Sequence, residues 1–225
     1  MNSDDEFNRC NMDYIYKLSG EVNDMIVSVV NNKGGVGKTT CTTVLAQTAL
    51  QKGLKRILVV DTCGQQNALD NLTIDGMPVF KGIDILPSPV KTPDQKFLRT
   101  FDLSIIDTPP NTESTVVRKV IQYADFVVAP FMLEKHSLAG IDEIFALVPS
   151  QKLIPLCILP RVQYSYTKLL LDEAKKKLGK NFLSWPNYSR IERNIGNKDD
   201  FFKGLTDEEM QKFMNLIDMI FQKEK

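Results

Sequence analysis

The sequence predicts an α/β fold, a mostly parallel twisted β-sheet with helices on both faces, built as a single domain. Three observations predict it. Six apolar runs of strand length recur along the chain, and several are continuous rather than alternating, which marks strands buried on both faces. Segments of helix length separate most of them, the alternation that lays parallel strands side by side. Proline and glycine punctuation falls just after several strands, where loops turn at one edge of such a sheet.

Residues 1–24 carry six acidic side chains against two basic ones. They read as an acidic, loosely ordered arm, with room for one short helix around residues 12–18. The domain proper spans residues 25–225. It opens with the strand MIVSVVN (25–31), followed by a helix over 38–52 and the strand RILVVD (56–61). IDILPS (83–88) and LSIIDT (103–108) are the next strands. A helix over 112–123, the strand FVVAPF (126–131), a helix over 136–148, the strand LIPLCIL (153–159) and a helix over 163–179 continue the pattern. Pro109, Pro110 and Pro130 end strands. Met210, Phe213, Met214, Ile217, Ile220 and Phe221 recur at helical spacing and predict a last helix packed on the domain.

Composition narrows the function. The 28 basic and 28 acidic residues cancel, so no global field draws the protein to nucleic acid or membrane, and any such attraction must be a local patch. Cys10, Cys41, Cys63 and Cys157 are scattered without a C-x-x-C pair, which argues against a zinc site or disulfide framework and suits a reducing cytoplasm. With no run of about 18 apolar residues and an acidic start, a soluble cytoplasmic protein is expected.

The chemistry gathers at strand ends, where sheets of this kind place their ligands. After the first strand come Gly34, Gly35, Val36 and Gly37, then a helix beginning near Lys38. Glycines let backbone N–H groups face an anion, and the helix N-terminus adds partial positive charge. In such a phosphate loop Lys38 reaches the terminal phosphates and the Thr39 hydroxyl ligates Mg²⁺. Asp107, closing an apolar strand, would hold the metal's water shell. Asp61 ends the strand RILVVD and offers a second acid at the same edge, although either aspartate could instead cap a helix. Asn32 stands where the usual G-x-x-x-x-G-K-[ST] pattern has its first glycine, and Lys33 is a second lysine in a loop that already ends in one.

KGGVGKTT (33–40), VVDTCGQQNA (59–68) and SIIDTPPN (104–111) together resemble the ParA/MinD/Soj family of deviant Walker A P-loop ATPases, and most of all its short ParA-type partition ATPases. The likeness continues through ADFVVAPFMLEKHSLAGI (124–141) and covers about residues 25–205. It implies an ATP and Mg²⁺ site over Lys33–Thr40, with Lys33, Lys38, Asp61 and Asp107 as the catalytic set and Thr39, Asp61 and Asp107 around the metal. Lys33 would cross an ATP-dependent sandwich homodimer to the partner's phosphates, while Lys38 serves its own nucleotide. Loops after the later strands would meet adenine, with Arg161 and Pro186 the candidates by position. The departure is Cys63, where the family usually has a second aspartate that positions the attacking water. A thiol organises water poorly, so hydrolysis is expected to be slow or partner-stimulated.

Residues 161–205 hold ten basic and five acidic side chains. In partition ATPases a C-terminal basic surface binds DNA without sequence preference once ATP has paired two subunits. Here Lys175, Lys176, Lys177, Lys180, Arg190, Arg193, Lys198 and Lys203 would supply it, with a ParB-like or other centromere-binding adaptor triggering hydrolysis on the nucleoid. The rivals are a MinD-like membrane-cycling ATPase and an ATP-gated scaffold with little hydrolysis. Against the first, residues 206–225 carry five acids and three bases, the wrong sign for anionic lipid.

Overall fold

The computed structural model describes residues 24–63, 67–74, 77–87, 93–133, 139–159, 166–179, 182–186, 191 and 202–222. A seven-stranded parallel sheet forms its centre, with spatial order β5-β2-β6-β1-β7-β8-β9. These are β1 (Met25–Val29), β2 (Ile57–Asp61), β5 (Ile83–Pro87), β6 (Leu103–Asp107), β7 (Phe126–Met132), β8 (Leu153–Ile158) and β9 (Leu183–Trp185). A small antiparallel hairpin, β3 (Thr73–Ile74) and β4 (Met77–Pro78), stands apart.

Several strands are nearly continuous apolar runs because successive side chains serve two different cores. Met25, Val27 and Val29 of β1 join one cluster, while Ile26 joins the other; Ile57 and Val59 of β2 split from Leu58 and Val60 in the same way. On the first face lie α1 (Lys38–Gln51), α2 (Asn67–Leu72) and α7 (Asp207–Gln222). On the second lie α3 (Gln95–Leu98), α4 (Thr115–Tyr123), α5 (Ala139–Leu147) and α6 (Thr167–Leu178). The expected helices on both faces are therefore present.

Helix α1 has poor intrinsic material, since five of its residues are threonines. Tertiary burial overrides propensity: nearly the whole helix is buried between the sheet, α2 and α7. Its hydroxyls turn back on its own backbone, Thr43 donating to the carbonyl of Thr39 (2.9 Å) and Thr48 to that of Val44 (2.7 Å). At the lower edge of the sheet Arg99 clamps the start of the domain. It donates to the carbonyl of Asp24 (2.7 Å) and to both oxygens of Asp125, which also accepts the Ile26 N–H (2.8 Å).

The last helix begins in a capping box. The Thr206 hydroxyl accepts the Glu209 N–H at 3.3 Å, and the Glu209 carboxylate accepts the Thr206 N–H at 3.0 Å. Its apolar stripe is spent in the core: Phe213, Leu216, Ile217 and Ile220 are buried, Phe213 meets Trp185 edge-to-face at 5.1 Å, and Asp218 pairs with Lys52, just past the end of α1, at 2.7 Å. Among the described residues no helix is long and apolar enough to cross a membrane.

The differences from the sequence reading are local. The helix expected over 112–123 starts at Thr115, because Asn111 accepts the Glu113 N–H (2.9 Å) and holds a turn first. Pro130, expected to end a strand, lies inside β7, which runs on to Met132. The helices α2 and α3, the hairpin and β9 were not anticipated.

Candidate functional site

Sheet register lines up the site. Val29 pairs with Asp107, and Asp61 pairs with Asp107 on the other side, so the entry to the phosphate loop and both acids share one level at the carboxyl edge. Side chains lock these ends together: the Thr108 hydroxyl donates to the Val29 carbonyl (2.7 Å), and the Thr62 hydroxyl to that of Asp107 (2.6 Å).

The loop between β1 and α1 is held from its first residue. Asn31 is buried; its Nδ2 donates to the Pro130 carbonyl (2.8 Å) and its Oδ1 accepts the Lys33 N–H (2.9 Å). Asn32 donates through Nδ2 to Glu143 of α5. Gly37 caps α1 with φ 92°, a conformation that L side chains resist, and a Cβ there would lie 2.6 Å from Ile158 Cδ1. Only glycine fits. Lys33, Gly34 and Gly35 are exposed, whereas Val36, Gly37, Lys38 and Thr40 are buried.

The two lysines face different ways of life. Lys38 turns inward, its Nζ donating to the carbonyl of Lys33 at 2.9 Å. Burial lowers its pKa, while the negative charge of Asp107 and the Cys63 thiol oppose that shift. Lys33 stands at the exposed crest of the loop.

Below them Thr39 Oγ1 donates to Asp107 Oδ2 at 2.7 Å. Asp107 is 1% exposed, and its Oδ1 is buried without a hydrogen-bond partner. Burial is the main reason its pKa is pushed up to about 7; the Thr39 hydrogen bond opposes this, Asp61 adds to it, and Lys38 and Thr42 oppose it. A buried carboxylate with an open oxygen beside a hydroxyl fits Mg²⁺, which uses few protein ligands and keeps waters and phosphate oxygens for the rest. Among the described residues no group of three or more His, Cys, Asp or Glu gathers to hold a metal by itself.

The proton on Asp107 has a measurable consequence. An acid whose folded pKa lies near 7 rather than the ordinary 3.8 binds more protons folded than unfolded across that interval. Its contribution to stability is therefore full below the unfolded pKa and is lost as pH rises toward 7. In chelator and without nucleotide, thermal unfolding of Asp107→Asn should lack this descent, so the variant gains on the wild type as pH rises from about 4 to about 7. A constant difference between the two across that range would refute it.

Asp61 is differently employed. Fully buried, it accepts the N–H groups of Cys63 (3.0 Å), Ala68 (3.0 Å) and Leu69 (3.2 Å), holding the chain after β2 and the start of α2. Of the two roles left open for it, this geometry displays capping. Cys63 is half-buried. Pro186 is buried just past β9, at the carboxyl edge. Of the basic set, Lys175, Lys176 and Lys177 share the exposed last turn of α6, but Lys177 pairs with Asp142 of α5 at 2.7 Å. Lys203 is exposed; Arg161, Lys180, Arg190, Arg193 and Lys198 lie outside the described residues, as does the arm up to residue 23. Asn31, Thr108 and Glu143 escaped the sequence reading, although an asparagine at a strand end was a usable signal for a side chain that binds backbone.

A family model described as an AAA domain matches residues 24–81. A ParA family protein of Mycoplasma pneumoniae is 28% identical over 178 residues, covering 57% of this chain and 66% of its own length. The chromosome-partitioning ATPase Soj of Thermus thermophilus is 27% identical over 75% of this chain and 81% of its own. Over most of its length the chain is similar to the ParA/Soj family of ATPases. The fold of this ParA-like ATPase agrees: a plasmid partition protein of Borrelia burgdorferi B31, solved with AMPPNP, superimposes with a TM-score of 0.64 at 21% identity, over 88% of this chain and 99% of that one. In the ParA-like ATPase, then, the glycine-rich loop, Thr39 and Asp107 lie together at the carboxyl edge of the sheet.

Proposed function

We propose that this chain is an ATP-driven partition switch whose ATP-bound form is a homodimer that binds DNA without sequence preference. The observation that carries the reading is the division of labour between the two lysines: Lys38 is buried within its own site, and Lys33 is presented at the surface five residues earlier. A cation offered from a second subunit stabilises triphosphate charge and ties pairing to the presence of that charge. Lys33–Thr40 hold the nucleotide, with Arg161 and Pro186 toward adenine. Asp107 and Thr39 would hold Mg²⁺, and Asp61, its own oxygens engaged by backbone N–H groups, would add negative charge beside them. A metal held there would supply positive charge against the triphosphate.

Pairing doubles the phosphates that one particle can neutralise, which makes DNA affinity both nucleotide-dependent and steeply salt-dependent. Lys175, Lys176, Lys177, Lys180, Arg190, Arg193, Lys198 and Lys203 furnish that surface, and a ParB-like or other centromere-binding adaptor releases the dimer from the nucleoid by stimulating hydrolysis. Burial of the α7 stripe weighs against a MinD-like cycle on membranes. The half-buried Cys63 keeps a second reading alive, an ATP-gated scaffold that turns over little ATP.

Light scattering and DNA titration with ADP, ATP and a slowly hydrolysed analogue, each at two salt concentrations, test the reading. The wild type should pair only with the triphosphates and then bind DNA with a steep salt slope. Lys33→Ala should keep monomer ATP affinity within about threefold, since an exposed charge contributes little to its own site, yet fail to pair. Normal pairing of Lys33→Ala removes the role given to that residue.

A further inference from the structure

We propose that Glu143 is a positioning residue of the phosphate loop: from α5 it holds Asn32 and thereby fixes how Lys33 is presented to a second copy of the chain. The inference rests on the sandwich reading above and names a residue that sets it up.

The backbone around Lys33 is fastened on every side. Its N–H is held by Asn31, itself anchored to the Pro130 carbonyl of β7, and its carbonyl is held by the Lys38 ammonium. The residue between these fixings, Asn32, replaces the glycine of the ordinary pattern and so carries a side chain that must go somewhere. It goes to α5, where Nδ2 donates to the Glu143 carboxylate, while Oδ1 is buried without a hydrogen-bond partner. Glu143 is thus the acceptor for the NH₂ group of this amide.

The helix that provides it is firmly seated. Ile141, Ile144 and Val148 on either side of Glu143 are 0%, 0% and 3% exposed, and the adjacent Asp142 is tied to Lys177 of α6. A carboxylate projecting from such a helix braces the loop from outside the β1–loop–α1 unit. A loop that loses this brace keeps its glycines, Lys38 and Thr39, and so keeps its own nucleotide. It loses the fixed direction of Lys33, which only the partner's nucleotide reads.

The test uses the full chain as wild type, Glu143→Ala, Glu143→Gln and Asn32→Ala, with two measurements on each: monomer affinity for a fluorescent ADP, and the concentration dependence of pairing with a slowly hydrolysed ATP analogue. Glu143→Ala should weaken pairing about tenfold, the size of one charge-assisted hydrogen bond, and change ADP affinity less than about twofold. Glu143→Gln should restore pairing, because the amide oxygen accepts the same bond. Asn32→Ala should match Glu143→Ala, and combining them should add nothing further. Unchanged pairing in Glu143→Ala, a glutamine variant as poor as the alanine, or equal losses of ADP affinity and pairing each overturn the proposal. A wild type that stays monomeric with the analogue overturns the sandwich reading itself, and this inference with it.

Discussion

Lys38→Ala should abolish nucleotide binding, and with it every nucleotide-dependent property of the chain. Lys38 is the first residue of α1, buried, with its ammonium turned back onto the Lys33 carbonyl. A cation in that position reaches phosphates in a setting largely screened from water, where charge-assisted hydrogen bonds are at their strongest. Two such contacts at about 1.5–3 kcal/mol each amount to a loss of about 10²–10⁴ in affinity. The substitution should spare the fold. Alanine is the best helix former, and the Lys33 carbonyl it abandons belongs to an exposed residue that water can reach. A second effect compounds the first: Lys38 opposes the upward shift of Asp107, so its loss should hold the Asp107 proton more tightly and weaken Mg²⁺ as well. Titration with fluorescent ATP, alongside a melting curve, separates these claims. Wild-type affinity in the variant would mean that the phosphates are held elsewhere.

The two lysines also show how far sequence alone reached. Their five-residue spacing was visible, and the family resemblance assigned each a direction; the contact from Lys38 to the Lys33 carbonyl was not visible, because it depends on how the loop closes. LSIID (103–107) was legible as a strand since every residue in it is buried between two helical layers, which favours apolar side chains, and the buried Ser104 hydroxyl is satisfied by the Leu98 carbonyl. Leu183–Trp185 was not, since three residues carry no period and their pairing with β8 is tertiary. Asp61 illustrates a deeper limit. An acid at a strand end reads the same whether it caps a helix or approaches a metal, and only the N–H groups of Cys63, Ala68 and Leu69 around it distinguish the two. Likewise the lysine run at 175–177 looked uniform, yet Lys177 is engaged by an aspartate 35 residues away. Charge runs disclose composition; partners come from packing.

Cys63→Asp should raise basal ATP hydrolysis, by a factor of about 10² if the carboxylate recovers a water-orienting role, since positioned acid–base groups contribute about 10²–10⁴. Position favours the claim. Cys63 stands two residues past β2, with its N–H fixed by Asp61, half-buried, and close enough to Lys38 to act on that lysine's charge. A carboxylate placed there would accept a hydrogen bond from water at the same edge as the phosphate loop, which a thiol does poorly. The new charge has a cost that makes the prediction sharper. Asp107 already binds its proton up to about 7, partly because of Asp61, so another nearby anion should push that value higher and destabilise the metal-free protein. Mg²⁺ and nucleotide should reverse the penalty. Cys63→Asp should therefore melt lower than wild type in chelator, recover with Mg²⁺ and ATP, and release phosphate faster in single turnovers. Cys63→Ser, similar in size but without charge, should show neither the melting penalty nor the gain in rate. A Cys63→Asp variant that binds ATP normally yet hydrolyses it at the wild-type rate would show that residue 63 does not face the attacking water, and the reading of this chain as a hydrolysis-impaired switch would lose its cause.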